Sequence, residues 1–241
     1  MTIRWMYLFL DTPAPQAAES WAFWGDVTSS TLSPVRGEHG QFATLLPRSG
    51  HPWLKVQAVD DGPGGVHLDL DTADRAVLVE RALELGATVQ ATYHDVVVLR
   101  SPAGIVFCAT VGEGGEVDRD VDSIADQACL DIPRSQFEAE VAFWRDLTSW
   151  TASEIRDDDE FVSLRRPAEM PVRILLQRRD DETPASAHVD FATRDRAAET
   201  ARHVRAGAEV VATYPQWTVM RDPVGRVYCL TDRDPGTGSP R

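Results

Sequence analysis

Two short runs, His67-Leu68-Asp69 and His188-Val189-Asp190, set an imidazole and a carboxylate two positions apart. On a strand that spacing projects both polar side chains from one face, while Leu68 and Val189 project from the other. A face of this kind suits general acid-base work or ligand hydrogen bonding, with the carboxylate orienting or charging the imidazole. A structural role is the equal alternative: the Asp anchors a loop or an arginine and the His fills a buried polar slot. Cys108 and Cys229 fall in apolar runs, where free cysteine behaves as a small hydrophobe. The chain has no Gly-x-Ser-x-Gly elbow and no glycine-rich phosphate loop, so nucleophilic hydrolysis and nucleotide binding have nothing to rest on. Asp157-Asp158-Asp159-Glu160 lacks calcium-ligand spacing and reads as a solvated loop.

These runs belong to a duplication. Ala22-Phe23-Trp24-Gly25-Asp26-Val27-Thr28-Ser29 returns as Ala142-Phe143-Trp144-Arg145-Asp146-Leu147-Thr148-Ser149, 120 residues on (142 − 22). From His67 and His188 the offset is 121 (188 − 67). It holds through Gly86-Ala87 and Gly207-Ala208, and through Arg100-x-Pro102-x-Gly104 and Arg221-x-Pro223-x-Gly225, to Cys108 and Cys229. A register kept that long is tandem duplication of a folding unit, and what both copies keep is a constraint of fold or of function.

Within the first copy, residues 3–10 read as a strand and 14–28 as a helix with Ala17, Trp21, Trp24 and Thr28 on one face. Residues 41–46 and 53–59 read as further strands, followed by a turn over 60–65. Residues 66–70 then form a strand, Asp71 or Thr72 caps a helix running to Gly86, and 88–92, 96–100 and 105–111 are strands. The second copy repeats the order. The expectation is two domains at 1–111 and 127–232, an acidic glycine-containing linker at 112–126 and a loose tail at 233–241.

A chain of 241 residues accommodates two such domains, each with its own core. The formal charge of −14 argues against nucleic acid and against an anionic membrane. No window approaches the roughly 20 apolar residues of a membrane span, and Met1-Thr2-Ile3-Arg4 opens a strand-like run rather than a signal peptide. Three cysteines do not make a disulfide framework and suit a reducing compartment, so the cytoplasm is expected. Lys55 is the only lysine among many arginines, a usage that looks bacterial and GC-rich.

The strand order, with Leu10-Asp11-Thr12-Pro13 and Leu130-Asp131-Ile132-Pro133 on the first strands, Phe-Trp on the first helices and Asp222-Pro223-Val224-Gly225-Arg226-Val227-Tyr228-Cys229 at the end, resembles the vicinal-oxygen-chelate superfamily. Its glyoxalase-like branch is the nearest likeness; the superfamily also holds extradiol dioxygenases and bleomycin-resistance proteins. The resemblance implies an α+β fold of two tandem domains, each made of paired βαβββ units forming a cup-shaped mixed sheet with helices outside. Metal enzymes of the superfamily draw ligands from positions that fall here at Tyr7 and Gln127, at His67 and His188, and, where a Glu is expected, at Cys108 and Cys229, with Gln57 and Gln177 nearby. The expected carboxylates are missing at those positions, so the resemblance implies no metal cofactor, with zinc on His188, Cys229 and water as the lesser option.

The leading expectation is therefore a metal-independent protein that binds an aromatic or apolar small molecule, as a monomer or homodimer, by Gln127, Gln177, His188, Trp217 and Cys229 or by Tyr7, Gln57, His67, Asp69 and Cys108. If it is an enzyme, a lyase or isomerase using His188 and Asp190, or one using zinc on His188 and Cys229, is expected. A protein of assembly or regulation that holds no ligand is the third reading. The second copy is expected to carry the better site, because Tyr7 takes volume that Gln127 leaves open and Trp217 replaces Val96. Trp24 and Trp144 read as core, Trp53, Trp150 and Trp217 as walls of a cavity.

Overall fold

The computed structural model of the chain describes residues 3–153 and 160–241. The first copy folds as β1 (Ile3–Pro13), α1 (Ala17–Val27), β2 (Thr31–Leu32), β3 (Phe42–Leu46), β4 (Leu54–Val59), β5 (Gly65–Thr72), α2 (Arg75–Glu84), β6 (Thr88–Thr92), β7 (Val97–Arg100) and β8 (Val106–Val111). The second follows as β9 (Ser123–Pro133), α3 (Phe137–Thr148), β10 (Thr151–Ala152), β11 (Phe161–Arg165), β12 (Arg173–Arg179), β13 (Ser186–Thr193), α4 (Arg196–Arg205), β14 (Glu209–Thr213), β15 (Trp217–Arg221) and β16 (Val227–Thr231). Each copy supplies one eight-stranded sheet, in the orders β2-β3-β4-β1-β5-β8-β7-β6 and β10-β11-β12-β9-β13-β16-β15-β14. The hairpins pair antiparallel, whereas β5 with β8 and β13 with β16 run parallel. The α+β class and the duplicated strand-helix-strand order agree with the sequence reading. Among the described residues no helix is long and apolar enough to cross a membrane.

Three boundaries differ from expectation. The helix α2 is capped by Asp74, whose carboxylate accepts from Ala76 N at 2.9 Å, and not by Asp71 or Thr72. Those two remain in β5, where Asp71 Oδ1 accepts from Thr110 Oγ1 at 2.6 Å, a long-range bond that outbids the local cap. The linker ends at Asp122, because Ile124, Ala125 and Asp126 are buried in β9. Asp126 is tolerated there between two arginines, Arg233 at 2.8 Å and Arg119 at 3.6 Å. The same Arg233 pins residues 233–241, expected as loose: it bridges to Pro240, and Arg241 donates to Thr193 O at 2.7 Å. Of the acidic run after Arg156, residues Asp157 to Asp159 lie outside the described residues; Glu160 is exposed and accepts from Gln177 Nε2 at 2.7 Å.

The chain packs as two compact units that cut across the copies. The first comprises the residues up to Leu8, Val66–Gly115 and Ala128–Ala187; the second comprises Phe9–Gly65, Glu116–Gln127 and His188–Arg241. In the first unit, Phe143 and Trp144 of α3 pack on Phe107 of β8, with ring centroids 5.8 and 5.3 Å apart. In the second, Trp24 of α1 packs on Phe191 of β13 and Tyr228 of β16, at 6.2 and 5.3 Å. Thus the first helix of each copy covers the second half of the other. Trp24 and Trp144 are fully buried, as their helical spacing predicts.

Candidate metal and ligand site

Alternation along β5 sends His67, Asp69 and Asp71 to one face and Leu68 and Leu70 to the other, and all five are buried. The parallel register sets Asp69 opposite Cys108 of β8. His67 Nε2 then lies 3.5 Å from Asp69 Oδ1, and the nitrogen, the carboxylate oxygen and Cys108 Sγ fall within 4.8 Å of one another. Burial, reinforced by the Asp69 charge, pushes the Cys108 thiol up to about 11 against the lowering hydrogen bond from His67. Tyr7 of β1 shares this environment: burial first, then the charges of Asp71 and Asp69, pushes its phenol up to about 12.

The second copy reproduces the group with one change of neighbour. The register of β13 and β16 sets Asp190 opposite Cys229. His188 Nε2 stands 3.3 Å from Asp190 Oδ1 and 3.6 Å from Cys229 Sγ. Where the first copy has Tyr7, Gln127 of β9 donates through Nε2 to Asp190 Oδ2. Gln127, expected as a ligand-binding residue, is thus hydrogen-bonded to the carboxylate beside His188.

In both copies the inner carboxylate oxygen, Oδ1 of Asp69 and of Asp190, is buried and accepts no hydrogen bond among the described residues. Each of these oxygens is paired instead with a histidine nitrogen, at 3.5 Å from His67 and 3.3 Å from His188, and a cation is the other group that compensates a buried carboxylate. The donor set is one imidazole nitrogen, one carboxylate oxygen and one sulfur, which fits a tetrahedral zinc-class ion with a fourth position for water or ligand. The closing-strand positions hold Cys108 and Cys229 rather than carboxylates, as read from the sequence, and the nearby carboxylates are those of Asp69 and Asp190, two residues after each histidine.

Trp217 lies on β15 opposite Thr231, two residues along from the Val219–Cys229 pair, and so on the same face as Cys229. Its ring stacks on Tyr214 at 4.8 Å and 21°. Tyr214 has a counterpart in Tyr93 of the first copy, so its residue type alone does not mark it as a ligand contact. Gln177 on β12 is engaged by Glu160 and, at 3.9 Å, by Cys129 Sγ; Gln57 on β4 is half-buried opposite Phe42. Trp150 is buried, and Trp53 does line a cavity of about 380 Å³ in the second unit, with Phe191, Glu199 and Arg202. Phe191 alternates with Asp190, so that cavity is on the face away from His188.

Tandem copies of this strand order are the architecture of the vicinal-oxygen-chelate superfamily, and the chain is one of its members. More narrowly, it belongs to the glyoxalase-like domain family, whose profile matches residues 7–110 and again 127–231. No curated protein matches the sequence. Similar solved structures include the Mn(II)-bound glyoxalase from Novosphingobium aromaticivorans, at 18% identity over 95% of this chain and 81% of that one, TM-score 0.68. The homoprotocatechuate 2,3-dioxygenase of Arthrobacter globiformis is 14% identical over 95% and 79%, TM-score 0.66. The 2,2',3-trihydroxybiphenyl 1,2-dioxygenase of Sphingomonas wittichii is 13% identical over 95% and 90%, TM-score 0.64. A metal-bound neighbour, together with ligand-type side chains gathered in each copy, overturns the expectation that the fold here works without a metal cofactor.

Proposed function

We propose that the protein is a metal-dependent small-molecule-binding protein whose working site is in the C-terminal copy. His188, Asp190 and Cys229 hold the ion, Gln127 orients Asp190, and the stacked Trp217 and Tyr214 receive an aromatic or apolar part of the ligand. The observation that carries this reading is the gathering of His188 Nε2, a carboxylate oxygen of Asp190 and Cys229 Sγ within 4.8 Å of one another. The bound ion supplies Lewis acidity to a ligand oxygen. The ligand class is therefore a ring compound bearing an oxygen donor, and the chain's own part is to seat the ring and fix the carboxylate. Three buried free cysteines support a reducing compartment, the cytoplasm.

Titration of the zinc-loaded protein with a panel of phenols and catechols, followed by tryptophan fluorescence, tests the reading. Saturable quenching is expected, weakened in Trp217→Phe and abolished in His188→Ala. Binding that survives His188→Ala but is lost in His67→Ala places the working site in the wrong copy.

A further inference from the structure

We propose that the second unit holds a further small-molecule site, on the face of β13 away from His188, that takes an aromatic or apolar carboxylate. The cavity there, of about 380 Å³, falls within the span of about 300–1,000 Å³ usual for small-molecule sites. The end of α1, the loop between β3 and β4, the segment 118–125 and α4 enclose it, all within the second unit. These walls are fastened to one another. Trp53 Nε1 donates to Ala125 O at 2.8 Å, and His51 N donates to Glu116 O at 2.7 Å. Gly50 has a φ of +82°, and a Cβ on it would meet Asp118 N at 2.8 Å, so glycine lets the loop and the segment approach this closely.

The other copy shows that the hollow is not dictated by the fold. Ser29 and Ser149 both take positive φ, 52° and 59°, and Thr28 and Thr148 each donate to the carbonyl four residues back at 2.6 Å, so the backbone leaves α1 and α3 alike. The next residue is Ser30 in one copy and Trp150 in the other, 120 residues on (150 − 30). Glu199 of the cavity wall likewise matches Leu78, 121 residues earlier (199 − 78). Trp150 and Leu78 are buried. Large apolar side chains thus stand in the first unit where the second has a hydroxyl and a carboxylate lining open space. Trp53, Phe191, Leu45 and Leu54 give that space aromatic and apolar walls. Of its charged groups, Glu199 is held by Arg202 and His203, Asp118 by Ser49, and Asp122 by Arg194, while Arg202 also donates to Val27 O. Arg48, exposed and lining the same cavity, has no partner among the described residues, and Ser123 Oγ is buried without one. A free guanidinium beside an apolar hollow selects a ligand with an apolar body and an anionic end, and a carboxylate matches its planar fork. The site shares no residue with His188, Asp190 and Cys229, so it stands or falls apart from the proposed function.

Titration of the zinc-loaded chain with 2-naphthoate, followed by isothermal calorimetry, tests the proposal. Wild type is expected to bind the probe, His188→Ala to keep that binding, and Ser30→Trp, which installs the side chain of the other copy, to lose it. Arg48→Gln should weaken it by about threefold or more, and the uncharged 2-naphthamide should bind wild type more weakly than the acid by a similar factor. Circular dichroism and thermal melting check the fold of each variant. No binding by wild type, or equal binding by wild type and Ser30→Trp, overturns the inference; if Ser30→Trp does not fold, equal affinities of wild type and Arg48→Gln overturn it. Equal binding of the amide and the acid overturns the anionic ligand class. Binding lost in His188→Ala and kept in Ser30→Trp assigns the probe to the metal site, which overturns this inference and leaves the proposed function standing.

Discussion

At the scale of single residues, Asp69 and Asp190 each gather a histidine nitrogen and a cysteine sulfur, whereas the structural Asp126 gathers two arginines. Both aspartates follow a histidine by two positions, which strand geometry converts into proximity, and both meet a cysteine across a parallel pair. Asp190 differs in having Gln127 on its outer oxygen. Outer partners of this kind fix the orientation and charge of a ligand carboxylate. Gln127→Leu is therefore expected to lower metal affinity of the C-terminal site by about 10–100-fold without changing the number of ions bound. Competition with a chromophoric chelator measures it, and an unchanged affinity would remove Gln127 from the site.

At the scale of elements, the exchange of helices between copies rests on a buried indole in each unit. Trp24 Nε1 donates to Asp222 Oδ2 at 3.0 Å, from α1 to the turn before β16. Trp144 Nε1 donates to Glu140 Oε1 at 2.7 Å within α3, and the other oxygen of Glu140 accepts from Ala103 N at 2.9 Å in the turn before β8. The carboxylate comes from the turn in one unit and from the helix in the other, with Ser101 and Ser20 at the matching positions. Trp24→Phe leaves Asp222 Oδ2 buried without its donor, a loss of about 1–3 kcal/mol by urea unfolding. A variant as stable as wild type would show that the indole bond carries nothing.

The helix α4 makes the second unit acid-sensitive. Burial alone raises the Glu199 carboxyl, but hydrogen bonds from His203 and Arg202 outweigh it and bring it down to about 2. Burial pushes His203 below its ordinary 6.5, against the raising bond from Glu199. Both folded values are depressed, so the unfolded chain binds more protons and stability is lost as the pH is lowered. The His203 contribution is whole above pH 6.5 and declines below it; that of Glu199 is whole above 4.5 and is lost toward about 2. Thermal melts are expected to lose midpoint first between pH 7 and 5, and His203→Gln should flatten that part of the curve. A His203→Gln curve parallel to wild type in that range sinks the assignment.

At the scale of the whole molecule, an ion held by His188, Asp190 and Cys229 of the second compact unit would stabilise the fold by linkage. Free zinc at a hundred times the dissociation constant adds about 2.7 kcal/mol per site, and chelation removes it. Melting with and without a strong chelator is expected to show a shift that is lost in Cys229→Ser. Equal midpoints in zinc and in chelator would mean that no ion binds the folded chain preferentially.

The sequence by itself determined the duplication, the alternation that puts His67 with Asp69 and His188 with Asp190, the buried faces of α1 and α3, and the family. These are local or repeated patterns, and strand and helix periods carry them. Tertiary structure decided the rest. That Asp69 meets Cys108 depends on the register of a parallel pair separated by a helix and a hairpin, which no local pattern encodes. Asp126 is legible as a strand residue only once Arg119 and Arg233 arrive beside it. The two copies also carry the same Phe-Trp pair on their first helices, so an apolar stripe fits either sheet equally well on paper. Only close packing distinguishes the partners, and it seats Trp24 against Phe191 and Tyr228, and Trp144 against Phe107.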